Sequence, residues 1–567
     1  MACEESENFA TMETPMETEI RKLVEAALGE LGEAAPDFSV EAPRDLSHGD
    51  YASNAALVAA NQSGENPKAL AERLAAKLRD VKHSVFNKIE VAGPGFLNFF
   101  LSPEVFAAEL GKILAAKDDY GRPPAGGLAG RKIMVEYTDP NPFKEFHLGH
   151  LMSNTIGETL SRLMEWRGAE VKRACYQGDV GMHVAKAVYG MRLEEANFPP
   201  ETASFREKAK FLGRAYVAGA TVPEFGVDNY QNGLAGLNKV IYDRSNPAVN
   251  KMYDWGRQVS LAYFETIYRK LGTRFDFYFF ESEAGPFGKK LVTEWLGKGV
   301  FEESDGAIIF RGEHTRVFIN AAGLPTYEAK ELGLVKLKFE KYPYDQSIVI
   351  TGNEVDAYFR VLLTAMAKIF PDLAARTRHL SHGMLRLATG KMSSRTGEVI
   401  TAESLITEVT RAARGNEAVA IGAIKFAILK QAPGRDIVFD LAKSLALTGD
   451  SGPYLQYAYA RAKSVLAKVD RPSLNKEGKG EVRDAGPVEK LLIHFPGVAA
   501  RAGREFAPQL LVTYLIALAG AFNHYYAENQ IIGSGESEVY RLVLTAAVAQ
   551  VLANGLRLLG IPTPEKM

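Results

Sequence analysis

The stretch that decides the fold reads IMVEYTDPNPFKEFHLGHLMSNTIGETLSRLMEW and covers residues 133–166. It opens with a short apolar, β-branched run and continues through the breaker cluster at 139–142. From Leu148 onward its apolar residues recur at helical spacing. The pattern predicts a strand, a tight loop and a helix, which is the repeating unit of a doubly wound, Rossmann-like α/β sheet.

The segment His147-Leu148-Gly149-His150 lies where the predicted loop enters the helix. Unpaired backbone N–H groups and the positive end of the helix dipole favour a phosphate there. Gly149 has no Cβ, so a nucleotide can approach the backbone closely. His147 and His150 share one face of the first turn and can both donate to phosphate oxygens. Taken alone, a histidine at a helix start is more often a cap or a packed surface group.

A second basic segment, GKMSSRTG at 390–397, carries Lys391 and Arg395 among small and hydroxylated residues. Such a loop can close over a triphosphate and neutralise it as charge develops. The alternative interpretation is a solvated basic turn.

A second strand with a polar tip, VKRACYQGDVG at 171–181, follows the first helix. Ligands bind at the carboxyl ends of the strands in doubly wound sheets. Gln177, Asp179 and His183 are therefore candidate site residues, and a solvated turn is the alternative for each. Ile308–Phe310 and Val317–Ile319 are predicted strands, and DQSIVITGNEVDAYFRVLL at 345–363 predicts a buried strand, a polar crossover and a helix. The sheet is therefore expected to resume after an insertion.

Length and composition bound the class of protein. The chain has 567 residues, of which 46% are hydrophobic and 24% charged, and this predicts about three or four soluble globular domains. The net charge of −2 excludes a generally basic nucleic-acid binder, so any contact with RNA would have to come from local basic patches. Cys3 and Cys175 supply neither a zinc thiolate site nor a disulfide framework. No apolar run is expected to reach the ~18 residues of a membrane span, and the acidic amino terminus argues against a signal peptide. A cytoplasmic protein without a membrane partner is predicted.

Gly- and Pro-rich breaker segments and the periodicity of apolar residues divide the chain into four regions. The predicted regions are a disordered tail (1–15), an α+β module (16–118), a doubly wound catalytic domain (126–401) with a helical insertion (about 190–275), and an all-α bundle (402–567).

One bundle helix, within SGPYLQYAYARAKSVLAKV, has RNA-binding chemistry. Aromatic and cationic side chains can stack on unpaired bases and hold them. The candidate RNA-contacting residues are Tyr454, Gln456, Tyr457 and Arg461. An aromatic stripe is more often core, so that interpretation stays open.

Together, H-x-G-H, a KMSSR loop about 240 residues further on and a terminal helical bundle resemble the class I aminoacyl-tRNA synthetases. VEYTDPNPFKEFHLGHL, HGDYASNAALVAA, VAGPGFLNFFL and SGPYLQYAYARAKSVL resemble segments of the arginyl-tRNA synthetase family. The resemblance runs from about residue 16 to Met567. It implies an amino-terminal domain that contacts tRNA and an anticodon-binding carboxyl-terminal domain.

The resemblance also implies the reaction. ATP, with Mg²⁺, and L-arginine would give arginyl-adenylate, and the arginyl group would pass to tRNA(Arg), with adenylate formation dependent on tRNA. Gly149 would lie under the adenine. The implied catalytic residues are Lys144, His147, His150, Lys391 and Arg395, and the implied ATP contacts are His147, Gly149, His150, Lys391, Met392 and Ser393.

A guanidinium requires a planar acceptor, so a carboxylate and a tyrosine hydroxyl are expected in an arginine pocket. The family places a tyrosine and an aspartate four residues apart, and the matching positions are Tyr327 and Glu331. Asn141 and Glu136 match family residues that hold the amino and carboxylate ends of the substrate or its side chain. For Glu331 the alternative is an ordinary surface carboxylate.

Three positions depart from the family pattern. Glu331 replaces the usual aspartate, Val355 stands where a glutamine is frequent, and Ser394 replaces the second lysine of the KMSKS loop. The alternatives left open are a class I synthetase for another amino acid, in particular lysine, and an RNA-binding paralogue without catalysis. A monomer is expected by analogy.

Overall fold

The computed structural model describes residues 14–43, 45–80, 85–123, 127–221, 227–388, 401–469 and 485–567. The chain divides into two compact units. One comprises Met1–Gly127 and Ala446–Met567, and the other comprises Leu128–Leu445. Apart from Thr14 and Pro15, which begin the first helix, the predicted tail (1–15) lies outside the described residues.

The amino-terminal part of the first unit is an α+β module. Its elements are α1 (Pro15–Glu30), β1 (Val40–Glu41), β2 (Tyr51–Ser53), α2 (Ala55–Ser63), α3 (Pro67–Asp80), β3 (Phe86–Ala92), β4 (Phe96–Leu101) and α4 (Pro103–Ala116). The strands form an antiparallel sheet in the order β1-β2-β4-β3. Thr14 begins α1 with a capping box to Glu17.

The second unit is built on a parallel sheet of five strands. The strands are β5 (Lys132–Glu136), β6 (Glu170–Gln177), β7 (Phe277–Phe280), β11 (Gln346–Gly352) and β12 (Thr377–His382), in the order β12-β11-β5-β6-β7. All neighbouring pairs are parallel. The strand order reverses between β5 and β11, the place where ligands bind in such sheets. The predicted doubly wound fold is confirmed.

Helices cover this sheet and interrupt it. They are α5 (Leu148–Trp166), α6 (Met182–Leu193), α7 (Phe205–Ala220), α8 (Val227–Asp243), α9 (Pro247–Leu271), α10 (Glu281–Leu296), α11 (Tyr327–Lys341), α12 (Asp356–Ile369) and α13 (Pro371–Arg376). Helices α7–α9 form the insertion between α6 and β7. Glycine allows α6 and α7 to cross closely, because a Cβ on Gly190 would lie 1.7 Å from the Ala215 carbonyl oxygen.

Strands β8 (Glu302–Ser304), β9 (Ala307–Arg311) and β10 (Thr315–Ile319) form a separate antiparallel sheet. The two predicted strands in this region exist, but they do not extend the parallel sheet. The reason is the short connection from β9 to β10, which allows only an antiparallel pair, since a parallel pair needs a long crossover.

The last part of the second unit contains β13 (Leu385–Leu387), α14 (Ala402–Ala412), α15 (Glu417–Leu429), β14 (Ile437–Phe439) and α16 (Leu441–Ser444). The bundle boundary predicted at residue 402 therefore differs from the division of the structure, which falls after Leu445. The physical reason is packing: α15 lies against α5, and the buried Lys425 Nζ donates to the Leu271 carbonyl oxygen at the end of α9 (2.6 Å).

The carboxyl-terminal part of the first unit is helical. Its described helices are α17 (Gly452–Leu466), α18 (Pro487–Arg504), α19 (Pro508–Glu528) and α20 (Glu538–Leu558). Contrary to the prediction from the sequence, Pro508–Glu528 and Gly535–Leu558 are long and apolar enough to match a membrane span by length and composition. Their fully buried side chains, such as Leu515 and Leu552, belong to the core of the bundle.

Candidate active site for a nucleotide and a cationic amino acid

The loop between β5 and α5 is held in an unusual backbone conformation. Thr138, Asp139 and Phe143 have φ values of 81°, 45° and 69°, which side chains rarely adopt without support. The Tyr176 N–H donates to Asp139 Oδ1 (2.7 Å), and the Phe143 N–H donates to Ser260 Oγ (2.9 Å). The loop is thus fixed to β6 and to α9, which sets the position of the residues that follow.

His147 and His150 form a reciprocal cap at the start of α5. His147 Nδ1 accepts the N–H groups of Gly149 (3.1 Å) and His150 (3.4 Å), and His150 Nδ1 accepts the N–H of His147 (3.2 Å). The two rings stack with centroids 3.4 Å apart. Because each Nδ1 accepts, the proton of each neutral imidazole lies on Nε2. Both rings therefore offer a donor to an incoming phosphate.

Both imidazoles are neutral at pH 7. Desolvation and the charge of Lys144 lower the pKa of His147 to about 4, although much of its side chain remains accessible. Burial and the neighbouring His147 lower the pKa of His150 well below its usual value. Lys144 Nζ lies 4.9 Å from the ring centroid of Tyr216, on α7. The positive charge at this site is carried by the lysine and not by the histidines.

Carboxylates gather close to the same end of the sheet. Glu136 ends β5 and is buried, with one oxygen 2.7 Å from Lys338 Nζ. Glu331 is half-buried on α11, and burial and the charge of Glu136 raise its pKa well above the usual value. Burial and the charge of Glu136 also raise the pKa of Asp139. Such a cluster favours a cationic ligand, which would relieve the repulsion.

Tyr327 and Asn141, the other residues predicted to bind the amino acid, lie at different places in this region. Tyr327 begins α11 and is 60% exposed, so it stands at the rim. Asn141 lies under the end of β6, since a Cβ on Gly178 would come within 2.3 Å of its Oδ1. A Cβ at position 178 would therefore displace the Asn141 side chain from this place.

A buried ion pair that the sequence analysis missed joins α10 to α11. Lys330 Nζ lies 2.6 Å from Glu281 Oε2, and both side chains are about 5% exposed. The helices approach closely, because a Cβ on Gly288 would lie 1.7 Å from the Ala329 carbonyl oxygen. The signal in the sequence that could have indicated buried lysines is the spacing of Lys330 and Lys338, which lie two turns apart on the same face of α11.

His382 was also missed. It is buried at the end of β12, and its imidazole lowers the pKa of both His147 and His150. Its Nδ1 lies 2.7 Å from the Gly383 carbonyl oxygen. Because that nitrogen must donate, Nε2 of the neutral ring is an acceptor, unlike those of His147 and His150.

The three candidates at the tip of β6 have structural partners. Asp179 is fully buried and accepts from Arg257 Nε (2.9 Å), Tyr253 OH (3.1 Å), and the N–H and hydroxyl of Ser282. His183 Nε2 lies 2.7 Å from the Gly178 carbonyl oxygen, and burial lowers its pKa to about 3. Gln177 Nε2 is directed to Tyr268 OH (3.5 Å). These contacts fix the loop to α9 and α10.

The predicted phosphate loop, with Lys391, Met392, Ser393, Ser394 and Arg395, lies outside the described residues. The chain that follows it returns to the histidine pair. Thr401 forms an antiparallel bridge with His147, and the Ala402 N–H donates to the Phe146 carbonyl oxygen (2.8 Å).

The candidate tRNA-contacting residues lie on α17, in the other unit. Tyr454, Tyr457 and Arg461 are half-buried. The Arg461 guanidinium lies 4.6 Å from the Tyr457 ring centroid and 4.9 Å from that of Tyr526, and it donates to Asn523 Oδ1 (2.7 Å).

Gln456 requires a correction. It is fully buried, and its Nε2 donates to the Pro562 carbonyl oxygen (2.9 Å), so it anchors the carboxyl-terminal segment and has no surface to offer to RNA.

Family models match each part of the chain. Residues 109–441 match "tRNA synthetases class I (R), catalytic domain", residues 18–101 match "Arginyl tRNA synthetase N terminal domain", and residues 455–567 match "DALR anticodon binding domain". The catalytic match covers more than half of the chain. The histidine pair and the parallel sheet are therefore those of a class I tRNA synthetase domain.

Whole relatives agree with these matches. An arginine–tRNA ligase of Treponema denticola is 29% identical over 573 residues, covering 94% of this chain and 95% of the relative. One of Clostridium acetobutylicum is 30% identical over 527 residues, covering 88% and 91%. The solved arginyl-tRNA synthetase of Thermus thermophilus shares the fold, with a TM-score of 0.77, 24% identity, and coverage of 97% of this chain and 100% of that one. The chain belongs to the arginyl-tRNA synthetase family of class I.

Proposed function

We propose that the protein joins L-arginine to tRNA(Arg) at the expense of ATP, through an arginyl-adenylate. A carboxylate oxygen of arginine attacks the α-phosphorus of ATP, the new O–P bond forms, and the bond to the β-phosphate breaks to release pyrophosphate. A hydroxyl of the terminal tRNA ribose then attacks the arginyl carbonyl, and AMP leaves. Neither step is assigned a protein acid or base, since orientation and charge neutralisation carry most of the catalysis.

The observation that carries this proposal is the acidic cluster beside the histidine pair. Glu331, with its raised pKa, has no hydrogen bond or ion pair to another described residue, and Glu136 and Asp139 lie close enough for their charges to act on one another. A guanidinium would supply the missing charge and several N–H donors. Tyr327, at the rim, would contact the guanidinium together with Glu331. Asn141, beneath β6, would hold the amino or carboxylate end of the amino acid or its side chain.

The nucleotide would bind at the start of α5. His147 and His150 would donate from Nε2 to phosphate oxygens, and Lys144 would neutralise the α-phosphate. Gly149 would lie under the adenine. Lys391 and Arg395, with Met392 and Ser393 between them, would complete the site from the loop that precedes Thr401.

Mg²⁺ would arrive with ATP. Within the described ranges, no group of three or more His, Cys, Asp or Glu side chains is arranged to hold a metal ion. Mg²⁺ would be held chiefly by the phosphate oxygens of ATP, where it would neutralise the charge of the triphosphate. Lys144 would act on the same charge from the protein side.

The first unit would bind tRNA. Tyr454, Tyr457 and Arg461 offer stacking surfaces and a cation, which suit unpaired bases. Adenylate formation is proposed to depend on bound tRNA. We propose that the protein acts in the cytoplasm as a monomer, without a membrane partner.

Charging of total tRNA with labelled arginine, and separately with labelled lysine, tests this function. The proposal requires acid-precipitable label on the tRNA with arginine and none with lysine. Charging with lysine would indicate a class I synthetase specific for lysine. If the folded protein charged neither amino acid but retained tRNA on a filter, it would be an RNA-binding paralogue.

A further inference from the structure

Two tyrosines near Glu331 have buried hydroxyl oxygens without a partner among the described residues. The hydroxyl oxygens of Tyr176 and Tyr358 are both inaccessible, and neither makes a hydrogen bond to any residue that the structure describes. As residues, Tyr176 is 8% exposed and Tyr358 is partly buried. Buried hydroxyl groups are ordinarily paired, because an unpaired one loses its bond to water without replacement. Two such groups at the acidic cluster therefore require an explanation.

The sheet and its covering helices bring both tyrosines towards Glu331. Tyr176 lies at the end of β6 and packs in the cluster that contains Leu334 of α11, one helical turn after Glu331. Tyr358, in the first turn of α12, packs against the neighbouring cluster that contains Leu332 and Val335 of α11. Burial raises the pKa of both phenols well above the usual value, and the charges of Glu281, Glu331 and Glu136 act in the same direction.

These two hydroxyls stay protonated and keep lone pairs that nothing in the described protein uses. A phenol oxygen can accept an N–H group while its own O–H donates elsewhere, and the carboxylates favour a cation. A ligand that carries both N–H groups and a positive charge therefore suits this place. A guanidinium has five N–H groups, more than one carboxylate can accept. Tyr358 also lies three residues after Val355, on the same side of the start of α12. It can therefore supply an acceptor where Val355 supplies none.

We propose that the phenol oxygens of Tyr176 and Tyr358 accept N–H groups of the substrate guanidinium beside Glu331, and so contribute to the selection of arginine. This rests on the proposed function. In this arrangement bound arginine supplies each phenol oxygen with a partner that no described residue supplies.

The test uses the Tyr176→Phe and Tyr358→Phe variants of the full-length protein, because phenylalanine keeps the ring and removes only the acceptor. Each variant should raise KM for arginine about ten-fold, as expected for one lost hydrogen bond to a charged donor, and leave KM for ATP unchanged. Since an unpaired buried hydroxyl is removed, the free variants should be at least as stable to heat as the unsubstituted protein. The rise in Tm on adding arginine should shrink.

Tyr344→Phe is the matched control. Its buried hydroxyl lies just before the amino-terminal end of β11, at the opposite edge of the sheet. This variant should keep the unsubstituted KM for arginine. If the unsubstituted protein uses arginine and both site variants keep its KM within two-fold, the phenols do not bind substrate and the inference fails alone. If the unsubstituted protein uses lysine and not arginine, the inference and the proposed function both fail.

Discussion

His147 and His150 cap the same helix turn reciprocally: the Nδ1 atom of each accepts a backbone N–H that the other residue contributes, with the rings stacked at 3.4 Å. This relationship fixes both tautomers. It also makes His147 a helix cap and a candidate phosphate donor at once, so a variant is needed that separates the two roles.

Asparagine at position 147 separates them. Asn is among the best N-cap residues, so His147→Asn should unfold at the temperature of the unsubstituted protein, yet it loses the Nε2 donor. We expect kcat for tRNA charging to fall about 100-fold, the usual effect of removing one donor to transition-state charge. His147→Ala loses the cap as well and should also be less stable by about 1 kcal/mol. Unchanged kcat in the asparagine variant would show that His147 is only a cap.

The pH profile follows from the same pair. Because the pKa of His147 is lowered to about 4 and that of His150 is also lowered, neither ring takes up a proton between pH 8 and 6. We expect kcat/KM for ATP to show no histidine titration in that range. An acid limb with a midpoint near 6.5, the ordinary value for histidine, would mean that one imidazole is solvated and acts as a base.

Arginine binding should release protons. The pKa values of Glu331 and Asp139 are raised in the free protein, and an arriving guanidinium favours their ionised forms. A ligand that lowers a carboxyl pKa binds more tightly as pH rises towards the pKa of the free state. Calorimetric titration with arginine in two buffers of different ionisation enthalpy counts the protons released.

Glu331→Gln supplies the control for this titration. It should weaken arginine binding about 100-fold or more, as expected when one partner of a buried charge pair is removed, and reduce the proton release. Proton uptake on binding, or affinity that falls as pH rises, would contradict the role of the cluster.

The tRNA contact is tested on α17. Tyr457→Ala should raise KM for tRNA about ten-fold, because stacking on one base is worth about 1–3 kcal/mol, while KM for arginine stays unchanged. Tyr459→Phe, at a mostly buried position on the same helix, should leave KM for tRNA as it is. Equal KM values for tRNA in both variants would place the contact elsewhere.

The sheet and the histidine pair could be predicted from the sequence because period, breaker residues and H-x-G-H are local signals. The paired lysines could not. In the sequence, Lys330 and Lys338 have the pattern of surface residues of a helix. Only the tertiary fold shows that they form buried ion pairs with Glu281 and Glu136. The roles proposed for Tyr176 and Tyr358 could not be predicted for the same reason. The local sequence does not indicate whether the hydroxyl group of a tyrosine has a hydrogen-bond partner in the folded protein.

Gln456 shows that a residue type suited to RNA binding does not lie on the RNA-facing side of a helix unless its helical position also matches. Tyr454, Tyr457 and Arg461 recur at helical spacing and share a face, whereas Gln456 is rotated off that face and points into the bundle. The boundary predicted at 402 differs from the division of the structure after Leu445 for another reason. Helical periodicity reveals that α14 and α15 have an apolar face, but not that this face is covered by α5 of the sheet domain.

The most direct test of the central claim is amino-acid-dependent ATP–pyrophosphate exchange by the purified protein, with and without total tRNA. The account predicts exchange that requires arginine and appears only when tRNA is present, with no exchange for lysine. Exchange driven by lysine, or by no amino acid in folded protein, would contradict it.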